Sequence, residues 1–530
     1  MTDFTLPPLI QQMLKPEFYP HPVRGAQPDP NAAQGYVEYP EDFYPSSEGA
    51  IQLIQTHISY VLLTGEFAYK IKKPLDFGFL NYSTLAARQH FSQEELRLNQ
   101  RGAAEIYLAV VPITRSGDRY QLEGEGEVVE YAVKMRQFPQ DTLLTNLFDR
   151  GELDEALVQK LAQAIAEFHR HTVTNDYIRS FGRVSQVRQA FDENFEQTQK
   201  YIGSCQTQQQ FDETRAYCDR FFAEQADLFQ QRMQADRIRE CHGDIHLRNI
   251  CYWQGKLLPF DCIEFNEPFR FVDVMYDVAY IVMDLEARER RDLSNLFLNT
   301  YVEITGDWEG LQVLPIYVSR QTYVRAKVTS FLLDDPGVSE SEKQAASDTA
   351  ALYYRMAWAC SQFHQGDLTL MSGLSGAGKS TQARHLARST GAIHIRSDAV
   401  RKHLGGVPLH EPGGSDLYTA EMTQKTYDRL LDLGIKLAKQ GYSVILDAKY
   451  DRQALRQPVI QQAAELNIPL QILYCDAPAD LLRDRVQNRL GDIADATVAV
   501  LATQTFEPFT DSEQPYVKVI DTTQPLDPLN

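Results

Sequence analysis

The sequence has no apolar run of about 18 residues, the length a helix needs to cross a bilayer. Its N-terminus lacks a basic segment followed by an apolar one, so it does not read as a secretory leader. Seven cysteines among 530 residues are too sparse for a disulfide framework. Internal repeats and long low-complexity tracts are missing as well. Positive charge is in deficit, with 52 Lys and Arg against 72 Asp and Glu and a net charge of −20. Residues 366–530 hold 20 acidic and 17 basic side chains, so the excess lies in the first two thirds of the chain. Backbone binding to nucleic acid needs clustered positive charge, which disfavours such a partner there. The acidity fits a solvated surface or a cationic small substrate. These absences lead to the expectation of a cytoplasmic protein with no membrane partner.

What is present is ordinary globular composition, 43% hydrophobic and 23% charged, over a length that exceeds one core. Residues 1–45, rich in Pro and Tyr, read as an irregular arm. Residues 51–73 alternate apolar and polar side chains around Thr64-Gly65-Glu66, the pattern of a hairpin. A helix is expected over 83–100. Strands follow over 107–136, broken at Ser116-Gly117-Asp118 and Gly124-Glu125-Gly126. Residues 153–171 form an amphipathic helix, and 186–239 read as helical throughout. Helices resume after 271 and continue to about 333. The polar stretch 334–348 reads as a loop, followed by a helix over 349–363. The short apolar strand Leu368-Thr369-Leu370-Met371 then opens an alternation of strands and helices, with further strands at 392–395, 443–446 and 470–474. The expected units are 1–45, 46–333, 334–365 as hinge and connecting helix, and 366–530.

Two motifs carry chemistry. The first is His242-Gly-Asp-Ile-His-Leu-Arg-Asn249. Asp244 and Asn249 have the D-x-x-x-x-N spacing, in which an Asp orients an acceptor hydroxyl and an Asn on the same tight loop offers an oxygen to Mg²⁺. A second metal carboxylate belongs after a short hairpin, and Asp261 follows the turn at Gln254-Gly255. Cys241, His242, His246 and Cys251 match no common zinc spacing. These residues resemble the aminoglycoside phosphotransferase family of kinase-like enzymes, whose H-G-D-x-H-x-x-N loop is matched here. Ile165-Ala-Glu-Phe-His169 and Asp273-Val-Met-Tyr-Asp277 resemble further segments of that family. The resemblance spans about 51–333. It implies that Asp244 is the catalytic base, that Asn249 and Asp261 bind Mg²⁺, and that Asp277 braces the loop. It also implies a nucleotide lysine in Ala68-Tyr69-Lys70, with Lys72 as alternative, paired with Glu94 or Glu95, and an adenine-holding strand near 130–138. No G-x-G-x-x-G covers the phosphates. Asp76-Phe77-Gly78 precedes the catalytic loop and reads as a turn.

The second motif is Gly373-Leu-Ser375-Gly376-Ala377-Gly378-Lys379-Ser380, between a strand and a helix that continues with Thr381. This is the context a Walker A P-loop requires. Its glycines turn backbone amides toward phosphate, Lys379 reaches the β- and γ-phosphates, and Ser380 binds Mg²⁺. Asp398 and Arg401 follow the next strand and Asp447 the one after it. Arg483, Arg485 and Arg489 sit on a lid-like stretch. This third of the chain resembles the small P-loop kinases: gluconate kinase, adenylylsulfate kinase, polynucleotide kinase and the zeta-toxin group. The resemblance implies that Asp398 addresses the acceptor hydroxyl, Arg401 holds substrate or phosphate, and Arg485 and Arg489 stabilise the transferred phosphoryl group. Asp447 either binds Mg²⁺ through water or simply ends its strand. Asp398 has a second reading as a helix N-cap, and the arginines as a solvated helix face.

The resulting expectation is an α+β kinase-like two-lobe domain followed by an α/β P-loop domain, a parallel sheet with helices on both faces. Its cofactors are ATP and Mg²⁺, and small-molecule hydroxyls are its acceptors at two sites. The alternative is a regulatory switch, with a ligand-sensing kinase-like domain beside a P-loop ATPase.

Overall fold

The computed structural model describes residues 6–23, 51–78, 80–489, 491–524 and 526. The part of the expected arm that falls within them is not irregular. Pro8–Met13 is a helix, α1, with Pro8 at its first position, where the missing N–H costs nothing. Ile10, Met13 and Tyr19 are buried against Leu53, Tyr69 and Val111 of the following sheet. The remainder of the arm, 1–5 and 24–45, lies outside the described residues.

That sheet has six antiparallel strands: β1 (Gln52–Gln55), β2 (Ser59–Leu63), β3 (Phe67–Lys72), β4 (Tyr107–Ser116), β5 (Arg119–Leu122) and β6 (Glu127–Arg136), in the order β1-β2-β3-β6-β4-β5. The expected hairpin over 51–73 is a three-stranded meander, because the chain turns at Thr56 as well as at Gly65. Helix α2 (Leu85–Ala103), capped by the Thr84 side chain, lies against β4 and β6.

The second lobe is helical: α3 (Leu144–Asp149), α4 (Glu155–His171), α5 (Asp176–Arg179), α6 (Val184–Thr198), α7 (Gln208–Glu224) and α8 (Ala226–Gln234). Strands β7 (Ile238–Glu240), β8 (Ile250–Trp253), β9 (Lys256–Pro259) and β10 (Phe271–Asp273), with α9 (Glu267–Arg270), frame the loop. Helices α10 (Val274–Ala287), α11 (Arg291–Thr305), α12 (Leu314–Phe331) and α13 (Glu340–Ala359) complete the lobe. The 186–239 segment is not one helical run. It breaks after Thr198, passes Gly203 at φ +88°, and ends in β7. The polar stretch 334–348 is not a loop over its length either. Ser339 and Glu342 form a reciprocal capping box that starts α13 at Glu340. Ala346, Ala350, Tyr353 and Tyr354 then bury one face of α13, which packs on α12 and α7.

The last third is a parallel sheet, β11 (Asp367–Ser372), β12 (Ile393–Arg396), β13 (Ser443–Asp447), β14 (Leu470–Asp476) and β15 (Val517–Asp521), ordered β12-β13-β11-β14-β15. Its helices are α14 (Lys379–Thr390), α15 (Ser397–Gly405), α16 (Ala420–Lys439), α17 (Gln453–Glu465), α18 (Ala479–Gln487) and α19 (Val498–Ala502). Side chains alternate across each strand. Met371, Ile445 and Leu473 cluster with Ala383 and Ala387 of α14. Leu368, Leu370, Val444 and Leu446 meet Leu430, Leu433 and Leu437 of α16 on the other face. That second cluster continues into α10, α11, α12 and α13, so the two domains share buried apolar surface rather than flexing about a bare linker.

Candidate active sites

The first site is held by one buried carboxylate. Asp277 Oδ2 accepts the His242 amide at 2.8 Å and Oδ1 accepts the Gly243 amide at 2.9 Å. His169 Nε2 lies 3.2 Å from Oδ2, and its Nδ1 meets the Tyr301 hydroxyl at 2.8 Å. Farther along, Asp284 accepts the Leu247 amide at 2.9 Å, and His242 Nε2 meets the Phe260 carbonyl at 2.8 Å. Gly243 takes φ +89°, and a Cβ there would sit 2.6 Å from the Phe269 carbonyl oxygen, so the loop needs glycine at this point.

On this frame Asp244 keeps a side chain 38% exposed, with His246 Nε2 at 3.5 Å from its Oδ2. Asn249 Nδ2 donates to the Asp244 carbonyl at 2.9 Å and lies 3.4 Å from its carboxylate. Burial works to raise the Asp244 pKa, but His246, Arg325 and His242 outweigh it and hold the carboxyl at about 2. The Phe260 amide donates to the Asn249 carbonyl at 2.9 Å, which brings Asp261 to the same place. Asp261 adopts φ +64°, a left-handed conformation that Asp tolerates better than most residues.

Lys70 Nζ joins this carboxylate to the interior, 2.6 Å from Asp261 Oδ1 and 2.9 Å from Glu95 Oε1. Lys72 Nζ lies 2.6 Å from the other Glu95 oxygen and also contacts Glu264 and the Tyr82 hydroxyl. Both lysines therefore share Glu95, but Lys70 alone reaches Asp261, while Lys72 is only 1% exposed. Burial alone would push the Glu95 carboxyl up, and the two lysines bring it down to about 2. Glu94 turns instead to Arg97 at 2.8 Å. Glu264 and Tyr82 were not identifiable beforehand, since they meet across 182 residues of sequence. Asp261 and Asn249 offer hard oxygen donors of the kind Mg²⁺ takes, and the side chain of Asp261 is 45% exposed, so the set fits a Mg·nucleotide. Asp76-Phe77-Gly78 is a turn, closed by the Gly78 amide on Asp76 Oδ1 at 2.9 Å.

The second site lies at the C-terminal ends of β11, β12 and β13 around a cavity of about 880 Å³. Gly376 and Gly378 have φ of +82° and +84°, and a Cβ on Gly376 would meet the Leu482 carbonyl oxygen at 2.5 Å. The amides of Gly376, Gly378, Lys379 and Ser380 make no hydrogen bond among the described residues, so this loop and the first turn of α14 present free donors. That is what a phosphate chain requires. Gly373 differs from expectation. Its amide is spent on the Lys449 carbonyl at 2.9 Å, fixing the start of the loop rather than facing a ligand. Ala377 is buried under α14, and its amide donates to the Leu374 carbonyl at 3.2 Å, so it too departs from the expected ligand contact. The Ser375 amide and hydroxyl are both held by Gln504 at 3.0 Å, a partner that no motif marks. Lys379 Nζ donates to the carbonyls of Gly373 and Leu374, at 2.9 and 2.8 Å, and burial lowers its pKa. Ser380 and Thr381 line the cavity.

Asp447 ends β13, as one of its two readings has it, and it also lines this cavity. His394 Nε2 lies 2.9 Å from Asp447 Oδ2. Burial pushes the Asp447 carboxyl up, but His394, Arg396 and Lys379 more than reverse this and hold it far below the usual range. Asp398 goes the other way. Burial raises its pKa and nearby Asp447 and Asp492 add to the rise, against Arg396 and Arg401. It caps nothing: the N-cap of α15 is Arg396, which makes no side-chain cap bond. Arg485 donates to the Thr522 carbonyl at 2.7 Å and, with Arg489, lines the cavity. Arg483 is 60% exposed beside Asp480, so the solvated-face reading holds for it alone. Arg401, stacked on Tyr418, and Arg452 also border the space. Asp451 Oδ1 is buried there without a hydrogen-bond partner. The free amides, Lys379, the Ser380 hydroxyl and the Asp447 carboxylate together fit a Mg·nucleotide.

Among the described residues, one trio could bring three metal-ligand atoms together: His169, Cys241 and Asp277. Both Asp277 oxygens already serve the loop amides, which accounts for the trio without an ion. No helix among the described residues is long and apolar enough to cross a membrane.

Residues 368–508 match the family described as AAA domain. An uncharacterized protein of Mycobacterium tuberculosis (strain H37Rv) is 29% identical over 466 residues, 87% of this chain and 91% of that one. The adenylyl-sulfate kinase of Myxococcus xanthus is 34% identical over 122 residues, covering 22% of this chain and 61% of that enzyme. Among solved structures, a choline/ethanolamine kinase family protein from Mesorhizobium loti aligns with 60% of this chain and 93% of its own, at 10% identity and a TM-score of 0.35.

Proposed function

We propose that this chain is an ATP-dependent phosphotransferase with two separate sites. The observation that carries the reading is the joining of Lys70 to both Glu95 and Asp261, beside a loop that presents Asp244 and Asn249. Phosphoryl transfer asks mainly for positioning and charge. At the first site Lys70, fixed by Glu95, meets nucleotide phosphate. Asn249 and Asp261 would hold Mg²⁺, and Asp244 takes the proton of a small-molecule hydroxyl as its oxygen bonds to the γ-phosphorus of ATP and the bond to the departing ADP breaks. Asp277 keeps the loop in shape. At the second site the P-loop amides and Lys379 would hold phosphate, and Ser380 and Asp447 would hold Mg²⁺. Asp398 accepts the hydroxyl proton, while Arg485 and Arg489 meet charge that develops on the transferred group. ATP supplies the phosphoryl group at both. Arg401 and Arg452 border the acceptor side of the second cavity and suit an anionic group on that substrate.

The test is turnover against a pooled library of hydroxylated metabolites, read by mass for an added phosphate, with wild type, Asp244→Ala and Lys379→Ala in parallel. The reading requires a phosphorylated product lost in one variant and kept in the other. The apolar cluster shared by the two domains favours a second reading, an ATP switch that answers a ligand in the first domain. Slow hydrolysis indifferent to every acceptor and lost only in Lys379→Ala would select it.

A further inference from the structure

Helix α11 contacts the supports of both sites. On one side its Tyr301 hydroxyl meets His169, whose other ring nitrogen meets Asp277, the carboxylate under the first loop. On the other side it completes the edge of the parallel sheet. Strand β12 is an edge strand, and edge strands carry unpaired N–H and C=O groups. Two asparagines of α11 satisfy two such groups, one in β12 and one at its entry. Asn299 Oδ1 accepts the His394 amide at 2.7 Å. Asn299 and Asn295 both donate to the Ala392 carbonyl, at 3.0 and 2.9 Å. Glu303 lies 3.7 Å from Arg396 at the end of the strand. The His394 ring, on the strand that α11 pins, then reaches Asp447 Oδ2 at 2.9 Å. Both His394 and Asp447 are almost fully buried, so neither has solvent as an alternative partner.

We propose that His394 is a positioning residue for Asp447, and that Asn299, in the other domain, sets His394 by fixing β12. The proposal rests on the reading of Asp447 as the carboxylate that faces Mg²⁺. His394 touches no reacting atom; it fixes which Asp447 oxygen is left to face the cavity. The P-loop site is thus completed by the N-terminal domain, through the same helix that braces the Asp244 loop. Partners of metal-facing carboxylates commonly matter roughly 10- to 100-fold in metal affinity.

The experiment uses the full-length chain carrying Asp261→Asn, so that the P-loop site dominates metal binding. Mn²⁺ is titrated by electron paramagnetic resonance in the presence of a non-hydrolysable ATP analogue. Affinity for the analogue without metal is measured alongside. The expected result is a roughly tenfold or greater loss of Mn²⁺ affinity in His394→Leu and a smaller loss in the same direction in Asn299→Ala. Metal-free analogue binding stays unchanged. In His394→Gln, whose side-chain amide can donate to the same oxygen, Mn²⁺ affinity is largely restored. Unchanged Mn²⁺ affinity in His394→Leu and His394→Gln, with affinity lost in Asp447→Asn, overturns the role of His394 and leaves the site reading standing. An effect of His394→Leu without one of Asn299→Ala overturns the role of α11. Unchanged Mn²⁺ affinity in Asp447→Asn overturns the reading of the site itself.

Discussion

The two sites hold the carboxylates proposed as their proton acceptors in opposite electrostatic states. Asp244 sits among His246, Arg325 and His242 and is held at about 2. Asp398 is pushed upward by burial and by the acidic neighbours Asp447 and Asp492. The cations differ as well. In the first site Lys70 and Lys72 are locked to Glu95, Asp261 and Glu264. In the second, Arg384 and Arg396 pair with Asp492, whereas Arg401, Arg452, Arg485 and Arg489, which line the same cavity, form no ion pair among the described residues. The first site thus balances each lysine with carboxylates at close range. A P-loop site delegates phosphate to backbone amides, so four of its cavity-lining arginines need no carboxylate partner. One chain therefore shows two solutions to the same electrostatic problem.

The largest expected effect separates the sites outright. Asp244→Ala should lower transfer at the first site by about 10²–10⁴, the usual worth of a positioned base. Lys379→Ala should lower the second by about 10²–10³, as for loss of one charge-stabilising donor. Product-resolved turnover of each variant checks both, and a loss at both sites from either substitution would break the separation.

Next comes the lysine pair. Lys70→Ala should chiefly reduce nucleotide binding and turnover. Lys72→Met should instead destabilise the fold by about 3–5 kcal/mol, because it leaves Glu95 and Glu264 buried with one cation fewer. Thermal unfolding beside nucleotide titration distinguishes them; equal effects on both readouts would merge the two roles.

A smaller effect lies in pH. A depressed carboxyl stays ionised as pH falls, whereas a raised one protonates early. The acid limb of the second site should therefore begin at a higher pH than that of the first. The pH profiles of Lys379→Ala, reporting the first site, and Asp244→Ala, reporting the second, test the order, and the reverse order contradicts it.

Smallest of all is Gln504→Ala. It frees the Ser375 amide and should tighten nucleotide binding at the P-loop roughly two- to tenfold, the worth of a hydrogen bond or so. Weaker binding would mean that Gln504 serves the nucleotide-bound state.

Local features were legible in the sequence and long-range ones were not. The turns at Gly65 and Gly117, the tight loop at Gly243 and the P-loop each depend on glycine conformations that a short window reveals. The helix at Glu340 was legible too, because Ser339 and Glu342 spell a capping box, but its polar composition suggested a loop. Its apolar face appears only when α12 and α7 are there to cover it. Pro8 similarly marks a helix start inside a stretch whose composition reads as irregular. Glu264, His394 and Gln504 belong to no motif, since each acts through a partner far away in sequence. The choice of Lys70 and Glu95 over their neighbours likewise required Asp261, which lies 191 residues from Lys70.

The most direct measurement is the number of ATP analogues bound per chain, by calorimetric titration with Mg²⁺ present. Two are expected in the wild type. One should remain in Lys379→Ala, one in a chain carrying both Asn249→Ala and Asp261→Asn, and none when all three substitutions are combined. A wild-type stoichiometry of one, abolished by either set of changes, would contradict the presence of two independent nucleotide sites.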